Sequence, residues 1–229
     1  MAGVIAWITT SAGFAATVRA RLIVYDDAAT TAQNILSHEL LYRLAFAGDA
    51  LSVLYVIYIL LLYNLFKPVN RSVSRLAAWF GVAGCAVGTL NALFHLAPLV
   101  ILKSPQSMSA FNPQQQQALA LLFLKLHSQG YTISMLFFGT YNMLVGYLIF
   151  RSTFLPRILG VLLAVSGLCY EINNFSAFLA PDFAARLNPW ILIPGVAELL
   201  LALWLVAAGV NASKWKEQAK AAESAAPVH

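Results

Sequence analysis

The sequence predicts an all-α integral membrane protein, a bundle of six transmembrane helices. Three observations carry that prediction. Hydrophobic residues make up 60% of the 229-residue chain and charged residues 10%, against about 25% charge in a soluble domain. Mean hydropathy is +0.74. The apolar residues gather into six runs, each close to or longer than the ~20 residues that cross a bilayer as a helix. One membrane domain is expected over residues 1–211. A basic, disordered cytoplasmic tail is expected over 212–229, its last part, Ala221–His229, being alanine-rich without helical periodicity.

The first run, Met1–Val18, lacks a basic leading segment and a clean small-residue cleavage site. It reads as an uncleaved first helix. The second run, Ile35–Phe66, closes at Lys67-Pro68, and start signals at Asp26-Asp27 place its beginning near Ala28. A single helix of that length measures about 58 Å, so its first turns project beyond the ~30 Å hydrocarbon core or lie on the membrane surface. The third run is Leu76–Leu102. A polar loop follows, and Asn112-Pro113 is a helix cap with proline at the first helical position. The fourth helix then extends to Phe150, with Gly130 as a bend. The fifth run, Ile158–Ala180, is entered through Pro156, and the sixth is Pro189–Val210.

Six spans put both termini on one side. Lys67, Arg71, Arg75, Arg151, Arg157, Lys214, Lys216 and Lys220 fall on that side. The positive-inside rule therefore makes the termini cytoplasmic in an inner membrane, although Arg19 and Arg21 pull the other way. This placement explains the net charge of +5 without a nucleic-acid partner; the bilayer is the partner implied. A faint repeat relates helices 2–3 to helices 4–5. Tyr63-Asn64-Leu65-Phe66-Lys67 resembles Tyr147-Leu148-Ile149-Phe150-Arg151, Cys85 matches Cys169, and Asn91…Pro98 resembles Asn174…Pro181. That pattern is a parallel repeat of a helical hairpin.

Ionisable groups inside apolar runs point to function. A charge in the bilayer core costs at least ~2.5–3.5 kcal/mol, so such groups face a bundle interior, a cavity or a partner. Asp49, His95, His127, Glu171 and Glu198 are of this kind, with Asn91, Asn173 and Asn174 beside them. At a helical rise of ~1.5 Å from the basic anchors, these residues fall in the outer half of the membrane or at its outer interface, with Glu198 near mid-membrane. The inner half is almost wholly Leu, Ile, Val and Ala. A polar pocket opening outward is expected, lined by Asp49, Asn91, His95, His127, Glu171, Asn173 and Glu198. Each has a bland alternative: interfacial placement for the histidines, and a hydrogen bond to a neighbouring helix for Asp49. Glu39 and Arg43 read as a solvated pair one helical turn apart, and His38 as solvated. Cys85 and Cys169 lack CxxC spacing and read as packing residues. The small residues from Gly81 to Gly88 allow close helix approach. Trp7, Trp79, Trp190 and Trp215 mark run ends, as an aromatic belt does.

Several segments carry a resemblance. They are Thr31-Ala32-Gln33-Asn34-Ile35, Leu65-Phe66-Lys67-Pro68-Val69-Asn70-Arg71, Leu121–Ser128, Gly146–Arg151, Leu155–Leu162 and Glu198–Leu205. Together they resemble a bacterial membrane family known as domain of unknown function 4386, over roughly Ile5 to Val210. The resemblance implies a polytopic membrane protein with no established activity. It also implies that Asp49, His127, Asn173 and Glu198 belong to the family's polar signature. Tyr141-Asn142 stands where the family pattern suggests a histidine, which weakens a metal or haem site needing a ligand there.

Three functions compete. The first is a non-enzymatic sensor, carrier or accessory subunit that binds a small molecule or lipid in the outward pocket, and it is the preferred expectation. Its likeness to vitamin-binding transporter subunits is fold-level analogy. The second is a metal-dependent hydrolase of a lipid amide or ester. In it His95, His127 and Asp49 or Glu171 hold Zn²⁺, although no HExxH or HxxxH pair exists. The third is a proton- or ion-coupled transporter using Asp49 and Glu198. No cofactor is required by the first; zinc on His95, His127 and Asp49 is the metal the residues would admit. Haem between His95 and His127 is the weakest alternative.

Overall fold

A computed structural model describes residues 13–104, 106, 108–187 and 192–224. All regular structure among these residues is helical. Residues 13–22 form α1. Then follow α2 (Ala28–Ser37), α3 (Glu39–Ala50), a 3₁₀ turn (Leu51–Leu54), α4 (Tyr55–Phe66) and α5 (Arg71–Lys103). The remainder is α6 (Pro113–Arg151), α7 (Arg157–Leu179), α8 (Pro181–Leu187), α9 (Leu192–Ala207) and α10 (Ala212–Ser224). Four helical stretches are long and apolar enough to cross a membrane: Glu39–Phe66, α5, α6 and α7. A fifth span arises if Gly195–Ala207 and Ala212–Ser224, bent by 102°, count as one broken span. Large apolar side chains point outward from these helices, among them Leu90 and Leu93 of α5 and Ile158 of α7. Lipid is the solvent that makes such a surface favourable.

Start and stop signals are met closely at several ends. Asn112 and Gln115 exchange side-chain bonds with each other's backbone N–H, 2.9 Å in both directions, and α6 begins at Pro113. Pro156 precedes α7. The helix that opens near Ala28 is also seen, capped by Asp27, whose carboxylate accepts from the Thr30 amide and hydroxyl.

Two expectations need correction. The continuous helix from Ala28 to Phe66 is broken at His38, which leaves helical geometry (φ −123°, ψ 39°), and again by the 3₁₀ turn after Asp49. The first of these breaks ends α2 before the apolar span begins, so the excess length does not project as one rod. Gly130, expected as a bend, lies within α6, which is helical from Pro113 to Arg151. The tail, expected to be disordered, forms α10 over Ala212–Ser224; residues 225–229 lie outside the described residues. So do residues 1–12 of the first run, with Trp7, and Pro189 and Trp190 at the start of the sixth.

In its described residues the chain divides into two compact units, one from 13–55 and 85–133, the other from 56–84 and 134–224. The helices α5 and α6 each contribute to both.

The first unit is built around Ala15, Val18 and Leu22 on one face of α1, Ile35 of α2, Tyr42 and Ala45 of α3, Leu99 of α5, and Leu121 and Leu124 of α6. Their three- and four-residue spacings are those of an amphipathic stripe. The α1–α2 link is tied by Thr31, whose hydroxyl bonds both the N–H and the carbonyl of Val24 at 2.9 Å, and by Asn34, which donates to the Leu22 carbonyl. Glu39 accepts from Arg43 at 2.8 Å, as expected, and also from Lys103 at the end of α5, at 2.5 Å.

The second unit depends on small residues between α6 and α7. A Cβ on Gly146 would stand 2.6 Å from the Gly160 carbonyl and the Ala164 N–H. A Cβ on Gly160 would meet the Gly146 carbonyl as closely, and one on Gly167 would strike the Gly139 carbonyl. Backbone-to-backbone contact of this kind is how membrane helices gain dispersion energy where lipid competes for every apolar side chain. The stretch from Gly81 takes part less directly: Gly81 lies under the Ile59 side chain, and the Gly84 carbonyl accepts from Ser134 at 2.8 Å. At the end of α9, Gly209 turns the chain with φ 67°, and its N–H and that of Ala208 both reach the Trp204 carbonyl. Asn211 then caps α10. The Trp215 indole donates to the Leu65 carbonyl at 2.9 Å, and Gln218 accepts from the Thr153 amide and hydroxyl.

Candidate functional site

The buried residues of α3 are Tyr42, Ala45 and Gly48, and the half-buried Asp49, four residues after Ala45, puts a carboxylate at the edge of the same face. On α5 the same spacing places Asn91, His95 and Leu99 on one face, and on α6 it places Ala120, Leu124 and His127 there. Asp49, His95 and His127 therefore meet, and Arg19 of α1 joins them.

One atom is the hub. Asp49 Oδ2 accepts from Arg19 at 2.5 Å and from His95 Nδ1 at 2.6 Å, and lies 3.6 Å from His127 Nε2. The last distance is within ion-pair range but too long for a hydrogen bond. His95 is fully buried and His127 is 6% exposed, while the Asp49 and Arg19 side chains are 15% and 16% exposed. The pair Arg19–Asp49 cancels in charge, which is the condition for keeping both in an apolar surround. A carboxylate only accepts, so His95 donates from Nδ1; in a neutral ring that leaves Nε2 as a lone-pair acceptor. Nε2 is buried and has no hydrogen-bond partner among the described residues.

His95 is held on every side. Tyr42 stands edge-on at 4.6 Å between ring centroids, His127 at 5.3 Å and Phe46 at 6.1 Å. Its backbone is held too. Pro98 sits inside α5 and has no N–H for the carbonyl one turn back, so the ladder is interrupted beside His95. The Tyr42 hydroxyl donates to the His95 carbonyl at 2.5 Å, next along the chain from the Phe94 carbonyl that Pro98 leaves without its helical donor. On α6, Asn91 donates to the His127 carbonyl at 2.9 Å. Gly130 makes room for it, since a Cβ there would collide with the Asn91 amide oxygen.

The other expected site residues lie in the second unit. Glu171 accepts from Thr140 at 2.8 Å. Glu198 accepts from Asn142 at 2.6 Å and also from Tyr170. Asn173 is half-buried and joins neither group, whereas its neighbour Asn174 is buried with an amide nitrogen that lacks a partner among the described residues. Asn142, noted for standing where a histidine was expected, is thus a partner of Glu198. Of the seven expected pocket residues, Asp49, Asn91, His95 and His127 belong to the first unit, and Glu171, Asn173 and Glu198 to the second.

Two members of the Asp49 cluster were not foreseen. Arg19 counts in the sequence only as a charge opposing the topology rule. Tyr42 is visible only as a member of the buried stripe.

Helices of membrane-spanning length with buried, charge-balanced polar groups define a polytopic helical membrane protein. The chain matches the family described as Domain of unknown function (DUF4386) over residues 1–209, and it belongs to that family. An uncharacterised protein of Archaeoglobus fulgidus is 26% identical over 153 residues, 67% of this chain and 75% of that protein. No solved structure matches the chain.

Proposed function

We propose that this protein is a six-span inner-membrane protein that binds a small polar molecule or lipid headgroup at the Arg19–Asp49–His95–His127 cluster, without turnover, as a sensor, carrier or accessory subunit. The observation that carries the reading is the convergence of three ionisable side chains from three helices on the carboxylate oxygen of a fourth, with His95 Nε2 left unpaired beside it. An arrangement kept only for packing would be expected to satisfy that nitrogen. Arg19 offers donors to an anionic group, Asp49 an acceptor for a cationic one, and His95 Nε2 an acceptor for a hydroxyl or amine. The basic turns and tail support cytoplasmic termini, and with them a cluster toward the outer face. The hairpin likeness of helices 2–3 and 4–5 supports an origin by duplication. Pro98 lies inside a helix whereas Pro181 starts a new one, so the halves would have diverged at that point.

The test is native mass spectrometry of protein released from native lipid nanodiscs. The wild type is expected to retain a molecule that Asp49→Asn loses at unchanged helicity. Equal occupancy in both proteins, or no retained molecule in the wild type, would sink the proposal. A second reading, a metal-dependent hydrolase of a lipid amide or ester, is favoured by one observation: Asp49, His95 and His127 each offer a ligand atom within 4.8 Å of the others.

A further inference from the structure

The Asp49 cluster has the donors of a transition-metal site with an arginine in the place of the metal. We propose that Asp49, His95 and His127 bind a first-row transition-metal dication of the zinc type, which enters by displacing the Arg19 guanidinium. The inference rests on the reading of this cluster as a binding site and names the ligand class that the site takes first.

Two imidazoles and one carboxylate form a borderline donor set. It suits Zn²⁺ and its neighbours, not Mg²⁺ or Ca²⁺, which prefer all-oxygen shells. Four ligands at ~2.0–2.1 Å around a tetrahedral metal lie about 3.3 Å from one another. Asp49 Oδ2 and His127 Nε2 are 3.6 Å apart, and Asp49 Oδ2 and His95 Nδ1 are 2.6 Å apart. The three ligand atoms lie within 4.8 Å of each other. Side-chain adjustments of about an ångström bring them to the ligating distance. The three residues come from α3, α5 and α6, so the site is assembled by the fold and no short motif advertises it.

Ligation at Nδ1 moves the His95 ring proton to Nε2. That atom has no partner among the described residues, so the exchange replaces one unpaired atom with another and sets no added barrier. The ion-paired oxygen Oδ2 is the one a metal would use. Arg19 must therefore leave, and its partial exposure gives it a direction in which to swing. A dication on one carboxylate and two neutral imidazoles leaves the fourth position open to water or to a ligand. Arg19 is thereby an internal competitor: it neutralises Asp49 when metal is absent and opposes metal entry.

The experiment is titration of Co²⁺ and Zn²⁺ into the full-length protein, purified in detergent with a tag that contains no histidine. Co²⁺ reports tetrahedral geometry by visible absorption. The expected result is one ion per chain, a tetrahedral cobalt spectrum, at least tenfold weaker binding in His127→Gln, and at least tenfold tighter binding in Arg19→Gln. His38→Gln, an exposed histidine in the same unit, is expected to bind as the wild type does. Circular dichroism and size exclusion establish that each variant is folded. No binding to folded wild type and folded Arg19→Gln would overturn the inference, as would equal affinity in His127→Gln. A metal-free protein that still retains an organic molecule, lost on Asp49→Asn, overturns the metal and leaves the binding site standing; loss of both removes the two together.

Discussion

Tyr42 and Gly130 each support a histidine without touching a ligand, and each can be tested alone. Tyr42→Phe removes one hydroxyl from the His95 carbonyl and leaves the ring contact. Loss of a neutral hydrogen bond costs about 0.5–1.5 kcal/mol. A corresponding drop in stability is expected in equilibrium unfolding in detergent, with ligand retention weakened by the freer His95. Gly130→Val places a side chain on the Asn91 amide. It is expected to destabilise more than Gly130→Ala, because Asn91 must abandon the His127 carbonyl in either case and valine also needs new space. Equal stability of both variants and the wild type would show that Asn91 does not hold His127. The sequence exposes Asp49, His95 and His127 as suspects because an ionisable group is conspicuous in a hydrophobic run. It does not expose Arg19 as their partner, because a distance of 30 residues along the chain carries no information about which helix faces which.

Helix ends were the more legible part of the fold. Asp27, Asn112-Pro113 and Pro156 mark starts that the backbone obeys, since capping is local chemistry. Breaks at His38 and at Leu51–Leu54 carry no proline or glycine signal, so hydrophobicity alone merges three segments into one. The Asp27 cap gives a pH prediction. Its carboxyl is held below the ordinary carboxylate range, chiefly by the Thr30 hydroxyl and then by the Thr30 amide. A lowered folded pKa stabilises α2 above the ordinary aspartate pKa, and that contribution is lost as pH falls through the lowered value. Asp27→Asn keeps a capping oxygen but cannot titrate, so its stability is expected to vary less with acid pH than that of the wild type. Identical acid profiles would remove the cap as the cause. At the other end of the chain, α10 was missed because its alanine, lysine and glutamate content gives no apolar stripe. Its anchors are a few polar bonds, and Trp215→Phe is expected to loosen it by about 0.5–1.5 kcal/mol, seen as faster amide exchange confined to 212–224. Unchanged exchange would mean that the indole bond does not hold the helix.

At the scale of the whole molecule, composition identified the solvent: a chain with 10% charge belongs in lipid. The number of crossings is harder to read, because hydropathy measures length and polarity but not whether a helix such as α9, followed by a 102° bend, continues through the bilayer. The orientation proposed from the basic turns is testable directly. In intact spheroplasts a membrane-impermeant maleimide is expected to label Gln106→Cys, between α5 and α6, and to label Lys216→Cys only after permeabilisation. The reverse pattern would invert the topology and place the Asp49 cluster toward the cytoplasm.

The pairing of Arg19 with Asp49 also bears on how the chain enters the membrane. Both residues are synthesised before either histidine of the cluster, so this pair of charges is complete first. A lone arginine or aspartate resists transfer from the insertion machinery into lipid; joined, they leave it as a neutral unit. A variant that removes only one of the two partners is therefore expected to burden insertion into the bilayer.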